Sequence, residues 1–421
     1  MSPRRRLLAA VLGTVALSTG CGSGDAPTQT AAPVADGSWS SVLDSARGTT
    51  VNWYMFGGSD AINRFVDDTY APALKARFGV TLNRVPVADT VDAVNQVLSE
   101  KQAGVTRGAV DLIWINGENF TTLKQAGMLR PGWAQTLPNA TLVDWDDPAV
   151  NRDFGIPVDD MESPWSSAQL QLVHEPTRTP SASLPRSYAQ FATWACAHPG
   201  RATYIRPGPG GFVGTRFIKG ALYELSGAAT GWGEFDQARW DRESPKLWKY
   251  LTALKPCLWR SGTTYPRDEN QLHGLFANNE VDLSLTQAIA GPGALVAAGT
   301  IPQSSRTFVF DANMIGDYNY VAIPANAPNA SGALVVANML LEPEFQAAHA
   351  RPESGFGLGF AIQPERVSDR TARAVLDQAA AARGANATPV SDLRRALAPD
   401  THPGYQDLIE REWRTRVQNG G

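Results

Sequence analysis

From Thr50 onward the chain alternates between strand-like and helix-like texture, and this alternation constrains its fold more than any other feature. Val51 to Phe56 is an apolar, aromatic run with strand character. Asp60 is placed to cap a helix carrying Ile62, Phe65 and Val66 on one face, with Pro72 breaking or restarting it. Val80 to Val87 reads as a second strand. Asp89 or Thr90 then opens a helix bearing Val91, Val94, Val97 and Leu98. The continuous apolar run from Val110 to Ile115 predicts a buried strand, followed by a polar loop and a helix from about Phe120. A βαβαβα order with right-handed crossovers implies a parallel sheet covered by helices on both faces.

A second unit of the same texture begins near Trp165. Ala168 to His174, Ala202 to Ile205, Val281 to Thr286, Thr307 to Phe310 and Tyr318 to Pro324 read as strands. Helices are expected over Ser187 to Ala197, Gly214 to Leu225, Pro245 to Leu254 and Ser331 to Leu341, and an Arg-rich helical tail is expected with caps at Ser368 and Ser391.

The N-terminus is of a different kind. Arg4, Arg5 and Arg6 precede an apolar stretch from Leu7 to Leu17, which has the length of a signal-peptide core and is too short to span a bilayer. The residues Leu17-Ser18-Thr19-Gly20-Cys21 resemble a bacterial lipobox, in which the Cys is lipidated and becomes the new N-terminus. Lipidation of Cys21 is the expectation, and ordinary secretory cleavage is the alternative. From Gly22 to about Gly48 the chain is rich in small and polar residues, as a solvated tether would be.

About 400 residues then remain, more than one hydrophobic core usually organises, so two lobes are expected. The net charge of −4 and the lack of a Lys/Arg stripe argue against nucleic acid as a partner. Cys196 and Cys257 are the cysteines left over, and in an oxidising compartment they are expected to form a disulfide; two buried thiols are the alternative.

Three segments carry a resemblance: Trp53 to Asp60, Leu82 to Thr90, and Asp111 to Phe120. A fourth is Gly332 to Leu341, followed by Pro343 and Glu344. Together they are similar to solute-binding proteins of ABC transporters with the two-lobed, type II periplasmic-binding-protein-like fold. The branch they resemble is distantly related to binders of thiamine, polyamines and ferric iron. The resemblance implies an α/β, two-lobed fold with a ligand cleft between the lobes. The leader and the stretch after it place the signal peptide at 1–20 and the tether at 21–48, and the resemblance places lobe one at 49–164 and lobe two at 165–316. A return segment to lobe one would occupy 317–347, and C-terminal helices at 348–421 would sit mainly on lobe two. The implied function is capture of a small solute by hinge closure and delivery to a permease with its cytoplasmic ATPase. The protein would act as a monomer, tethered to the membrane through Cys21, without a cofactor.

In α/β sheets ligands collect at the carboxyl ends of strands. Gly58, Ser59 and Asp60 follow the first strand, and Asn116, Glu118 and Asn119 follow the third, so these are candidate solute contacts, with helix capping and a tight turn as the structural alternatives. The segment from Arg206 to Thr215, including Phe212 and Gly214, enters a helix whose N–H groups are placed to grip an anionic or hydroxyl-rich group, or else to form a plain connector. Trp165 is a candidate stacking partner for a sugar or an organic cation, with core or hinge packing as the alternative. Gln287 and Tyr318 are further cleft candidates. These residues favour an amine-bearing or polyhydroxylated solute over ferric iron.

No Gly-x-Ser-x-Gly elbow or His-Glu-x-x-His helix is present, and the histidines are scattered, which argues against a hydrolase. A ligand-sensing or envelope-structural lipoprotein that retains the binding fold is the other alternative.

Overall fold

A computed structural model of the chain describes residues 38–58, 60–229, 231–354 and 357–419. The leader, Cys21, the start of the tether and Ser59 lie outside the described residues.

Helix α1 (Trp39–Ala46) corrects the end of the expected tether. Ser38 caps it by accepting from the backbone N–H of Ser41, and Val42 and Ala46 are buried. The small residues around it hide a stripe of Trp39, Val42, Leu43 and Ala46, which repeats with helical period.

Strand β1 (Thr50–Phe56) buries Val51, Trp53 and Met55 in alternation. It is followed by α2 (Asp60–Arg64), a π-helical stretch from Phe65 to Tyr70, and α3 (Ala71–Phe78). Pro72 sits in the first turn of α3, where its missing N–H costs no internal bond, and the wider π turn lets the chain continue. Asp60 is the first helical residue rather than a cap. Then come β2 (Thr81–Val87), α4 (Thr90–Gln102), β3 (Leu112–Ile115) and α5 (Gly117–Gln125). Asp89 caps α4 by accepting from the N–H of Val91. The last helix starts three residues before the expected Phe120, because Asn116 takes an extended conformation and Gly117 turns directly into the helix. A short hairpin of β4 (Arg152–Asp153) and β5 (Ile156–Pro157) precedes β6 (Glu162–Gln169).

The second lobe holds β7 (Gln171–His174), α6 (Tyr188–Ala197), α7 (Phe212–Ser226), α8 (Gln237–Leu254), α9 (Glu269–Ala277), β8 (Leu283–Thr286), α10 (Gly293–Ala297) and β9 (Arg306–Phe308). Ala202 to Ile205 is buried but joins no ladder, so the strand expected there is an extended core segment. The chain returns through β10 (Met314–Ala322), α11 (Ala330–Leu340), α12 (Pro343–Ala350) and α13 (Arg370–Ala381). It ends with α14 (Val390–Ala396), β11 (Leu397–Ala398) and α15 (Pro403–Trp413). Asp369, not Ser368, caps α13, and Pro389 rather than Ser391 precedes α14. The tail is divided between the lobes: Leu376 and Ala379 of α13 join the core of lobe one, whereas Tyr405 and Ile409 of α15 join that of lobe two.

In lobe one β1 lies parallel between β2 and β3, and β10 joins β3 antiparallel. One face of this sheet buries Trp53, Leu112 and Trp165 under α11, and the other buries Ile113, Ile115 and Phe120 with Val94 and Val97 of α4. Lobe two is centred on β7, antiparallel to both β8 and β9. Strands β6 and β10 pair antiparallel along their length, from Ala322↔Glu162 in lobe one to Gly316↔Gln169 in lobe two. Beyond them Met314 and Ile315 pair with β11. These paired strands join the lobes, and the register break between Asn319 and Tyr320 falls within the crossing, where a bulge locally loosens the ladder. Cys196 and Cys257 form a disulfide with Cα atoms 4.7 Å apart, tying the end of α6 to the turn after α8.

Candidate functional site

Helix α7 presents Phe212, Thr215, Arg216 and Lys219 at the i, i+3, i+4 and i+7 spacing, which puts them on one face. Across from that face lies the β4–β5 turn of lobe one. Phe154 at its tip takes a positive φ of 46°, and its ring stacks on Phe212 with 5.9 Å between centroids and 12° between planes. Gly117 makes room for this ring, since a Cβ there would lie 2.7 Å from it. The next residue, Gly155, comes so close to Gly233 of lobe two that a Cβ would lie 2.3 Å from the Gly233 carbonyl oxygen. The lobes are therefore in contact over this cleft.

Two cations are buried in its floor. Arg216 forms an ion pair with Asp317 of β10, donates from Nη1 to Gln287 Oε1 at 3.0 Å and lies 4.5 Å over the Phe212 ring. Lys219 donates from Nζ to Asp400 Oδ1 at 2.6 Å and to Gln406 Oε1 at 2.9 Å, and stands 4.5 Å over Phe154.

Carboxylates surround these cations from both lobes. Asp153 accepts from the Gly117 N–H at 2.6 Å through Oδ2, and its Oδ1 is buried without a hydrogen-bond partner. Burial raises its pKa well above the ordinary carboxylate value; the Gly117 bond opposes this, and Asp317 and Glu118 add to it. Glu162 is buried with neither oxygen hydrogen-bonded, and its pKa is raised by burial and by Asp153. Asp317 is raised by burial, partly offset by Arg216. Glu118 reaches solvent yet is hemmed in by protein. Burial raises its pKa, and its charged neighbours are Lys219, Asp407 and Asp89. Glu410 is raised by burial as well, and accepts from Thr215 Oγ1 at 3.2 Å.

The structure thus brings Glu118, Phe212, Thr215 and Gln287 together. It adds Asp153, Phe154, Arg216, Lys219, Asp317, Asp400 and Glu410, which the reading of the sequence missed. A signal for two of them was present, because Arg216 and Lys219 are charges among the mostly apolar residues of the first half of α7. Trp165 is corrected: it is fully buried in lobe one, edge-on to Trp53 at 5.6 Å and Trp114 at 5.0 Å between centroids. In the Arg206–Thr215 segment the N–H groups of Gly211, Gly214 and Thr215 are used within the loop, Gly211 to Gly208 O and both Gly214 and Thr215 to Gly211 O, and the carboxylate of Glu410 stands beside it. Gly214 serves close packing, as a Cβ there would lie 1.9 Å from the Ile205 oxygen. Arg206 is exposed at the edge of this loop. Asn116 donates to the Tyr318 carbonyl at 2.7 Å, so it ties the third strand's loop to β10. Asn119 is buried, Tyr318 half-buried and Gly58 exposed. Asp60 begins its helix, and Ser59 lies outside the described residues.

The family model of bacterial extracellular solute-binding proteins matches residues 69–360. The chain belongs to this family. It is similar to Protein YnjB of Escherichia coli K12, with 36% identity over 378 residues covering 89% of this chain and 92% of that protein. Two solved structures share the fold at low identity. One is an ABC-transporter substrate-binding protein of Bradyrhizobium japonicum (16% identity, TM-score 0.61, covering 88% of this chain and 100% of that one). The other is a spermidine/putrescine ABC-transporter substrate-binding protein of Streptococcus pneumoniae (13% identity, TM-score 0.60, covering 88% and 99%). As a solute-binding protein the chain works outside the cytoplasm and binds rather than transforms its ligand. The cleft between lobes joined by paired strands is the architecture such capture requires.

Proposed function

We propose that the protein is the extracytoplasmic receptor of an ABC importer, that it encloses a small amine-bearing or polyhydroxylated solute between its two lobes, and that it delivers the solute to a membrane permease driven by a cytoplasmic ATPase. The observation that carries this reading is the contact of the β4–β5 turn with α7 across strands β6 and β10, which acts as a clasp opposite a hinge. Closure follows from population shift: a solute that touches both lobes binds the closed form better and draws the equilibrium toward it. Cys21 is the proposed lipid anchor, and the small, polar stretch after it gives the lobes freedom to meet a permease as a monomer.

Uptake assays test the reading. Cells lacking this protein lose accumulation of the solute, and regain it with the wild-type gene but not with one carrying a Gly155→Val substitution. Undiminished uptake in the deletion strain contradicts an importer role and favours a sensing protein of the same fold.

A further inference from the structure

Asp153 sits at the base of the clasp. It directly precedes Phe154, it is 1% exposed, and its Oδ2 accepts from the Gly117 N–H at 2.6 Å, which fixes the β4–β5 hairpin to the start of α5. Its Oδ1 is buried without a hydrogen-bond partner. Just beyond it the hairpin meets lobe two twice, through the Phe154–Phe212 stack and the Gly155–Gly233 approach, and Lys219 of α7 stands 4.5 Å over the Phe154 ring. Lobe two therefore covers the hairpin that carries Asp153.

The surroundings set like charges against this carboxyl. Its electrostatic neighbours are Glu118 of α5 and Glu162 of β6 in lobe one, Asp317 of β10 at the crossing, and Asp400 of lobe two. Tyr320 of β10 is also near, but its hydroxyl donates to the Val150 carbonyl at 2.8 Å. The cations of the adjoining elements are engaged by other carboxylates: Arg216 by Asp317, Lys219 by Asp400 and Lys124 by Asp159. Arg152 of the hairpin itself is exposed and donates to the Gly155 carbonyl at 2.9 Å. Glu118 in turn meets Asp407 and Glu410 of α15, so closing the lobes brings carboxyls of one against carboxyls of the other. Burying an uncompensated carboxylate is costly, and a carboxyl so placed takes a proton instead, in keeping with the raised pKa of Asp153. With the proton on Oδ1, Oδ2 still accepts from Gly117.

Resting on the receptor reading, in which closing the lobes is capture, we infer that Asp153 is a positioning residue that holds the clasp as a neutral acid: it takes a proton from solvent onto Oδ1 as the lobes close and returns it when they part. The closed form then carries one proton more than the open form. Low pH favours closure, and the preference is lost as pH rises above the ordinary carboxylate range towards the raised value of the closed form. A solute that requires the closed form is held more tightly at lower pH, because proton and solute favour the same state.

The test is small-angle X-ray scattering of the purified, solute-free protein as a function of pH, beside three variants. Asp153→Asn keeps the shape and an acceptor for the Gly117 N–H but has no proton to lose. Asp153→Ala removes the tie, and Glu118→Gln removes a like charge at an exposed position. The wild-type radius of gyration should grow as pH rises above the ordinary carboxylate range, with the ratio of closed to open forms falling by about tenfold per pH unit while one proton is released. Asp153→Asn should stay compact without this dependence, Asp153→Ala should be expanded at every pH, and Glu118→Gln should show a weaker dependence. Thermal unfolding at each pH confirms that folded protein is compared. A wild-type radius that does not change with pH overturns the inference, and so does a pH dependence that persists unchanged in Asp153→Asn or in Glu118→Gln. Neither result touches the receptor reading, which is decided separately by uptake in the deletion strain.

Discussion

Phe154 of lobe one stacks on Phe212 of lobe two, 5.9 Å between centroids, and thereby joins the lobes at a place away from the crossing strands. An aromatic pair of this kind contributes about 0.5–1.5 kcal/mol beyond the area it buries. Phe154→Ala should therefore leave each lobe folded, weaken closure by about that amount, and reduce solute affinity about two- to tenfold. Affinity measured beside unfolding temperature separates the two effects, and an unaltered affinity would show that the clasp lies elsewhere.

Gly155 tests the same contact sterically. It has a φ of +77°, and a Cβ would lie 2.3 Å from the Gly233 oxygen. Gly155→Val is expected to hold the lobes apart, with a larger radius of gyration in solution and little binding. If the variant scatters like the wild type with full affinity, the Gly155–Gly233 approach is not needed for capture.

The Arg216–Asp317 pair is buried, with side chains 2% and 9% exposed. Removing one partner strands the other, at a cost of about 3–5 kcal/mol, whereas replacing both with apolar residues of similar size costs much less. Denaturant midpoints of Asp317→Asn and of the double variant Arg216→Met, Asp317→Leu should differ accordingly. Equal losses would show that the pair is already hydrated.

Raised carboxyl pKa values make a pH prediction with a definite sign. Asp153 and Glu162 hold protons in the folded protein that the unfolded chain releases, so they favour folding at low pH, and that contribution is lost as pH rises through their raised folded values. Glu269, pushed up to about 7 by burial despite Arg216, acts in the same sense. Buried His273, pushed down to about 4, acts oppositely, and weakens the fold as pH falls below its ordinary value. The difference between wild type and Asp153→Asn isolates the carboxyl contribution: relative to the variant, the wild type should lose stability as pH rises above the ordinary carboxylate range towards the raised folded value. A difference independent of pH would mean that Asp153 ionises normally.

The disulfide closes a loop with a sequence separation of 61 residues. Loop-closure entropy sets its contribution on the order of 4 kcal/mol. Cys196→Ser with Cys257→Ser should lower the denaturant midpoint of lobe two while leaving solute binding at low temperature intact, because neither cysteine approaches the cleft residues.

What was legible in the sequence follows from the physics of each signal. Strand periodicity and the Asp89 cap are local, so the βαβ order of lobe one could be read directly, and the disulfide followed from cysteine arithmetic. The cleft is non-local. Asp153, Lys219, Asp317 and Glu410 come from four separated segments, and only the folded chain brings them together. Trp165 misled for a related reason: an indole beside a crossover suits stacking on a ligand as well as packing on Trp53 and Trp114, and burial decides which. Gly214 misled in a third way, since it serves close packing against Ile205 rather than approach to a solute.

Capture by closure is tested most directly by small-angle X-ray scattering of the purified protein with and without a saturating solute. The free protein should sample open forms and have the larger radius of gyration, and the solute should shrink it to the value expected of the structure in which Phe154 meets Phe212. A solute that binds to saturation while the radius of gyration stays the same would contradict closure as the mode of capture.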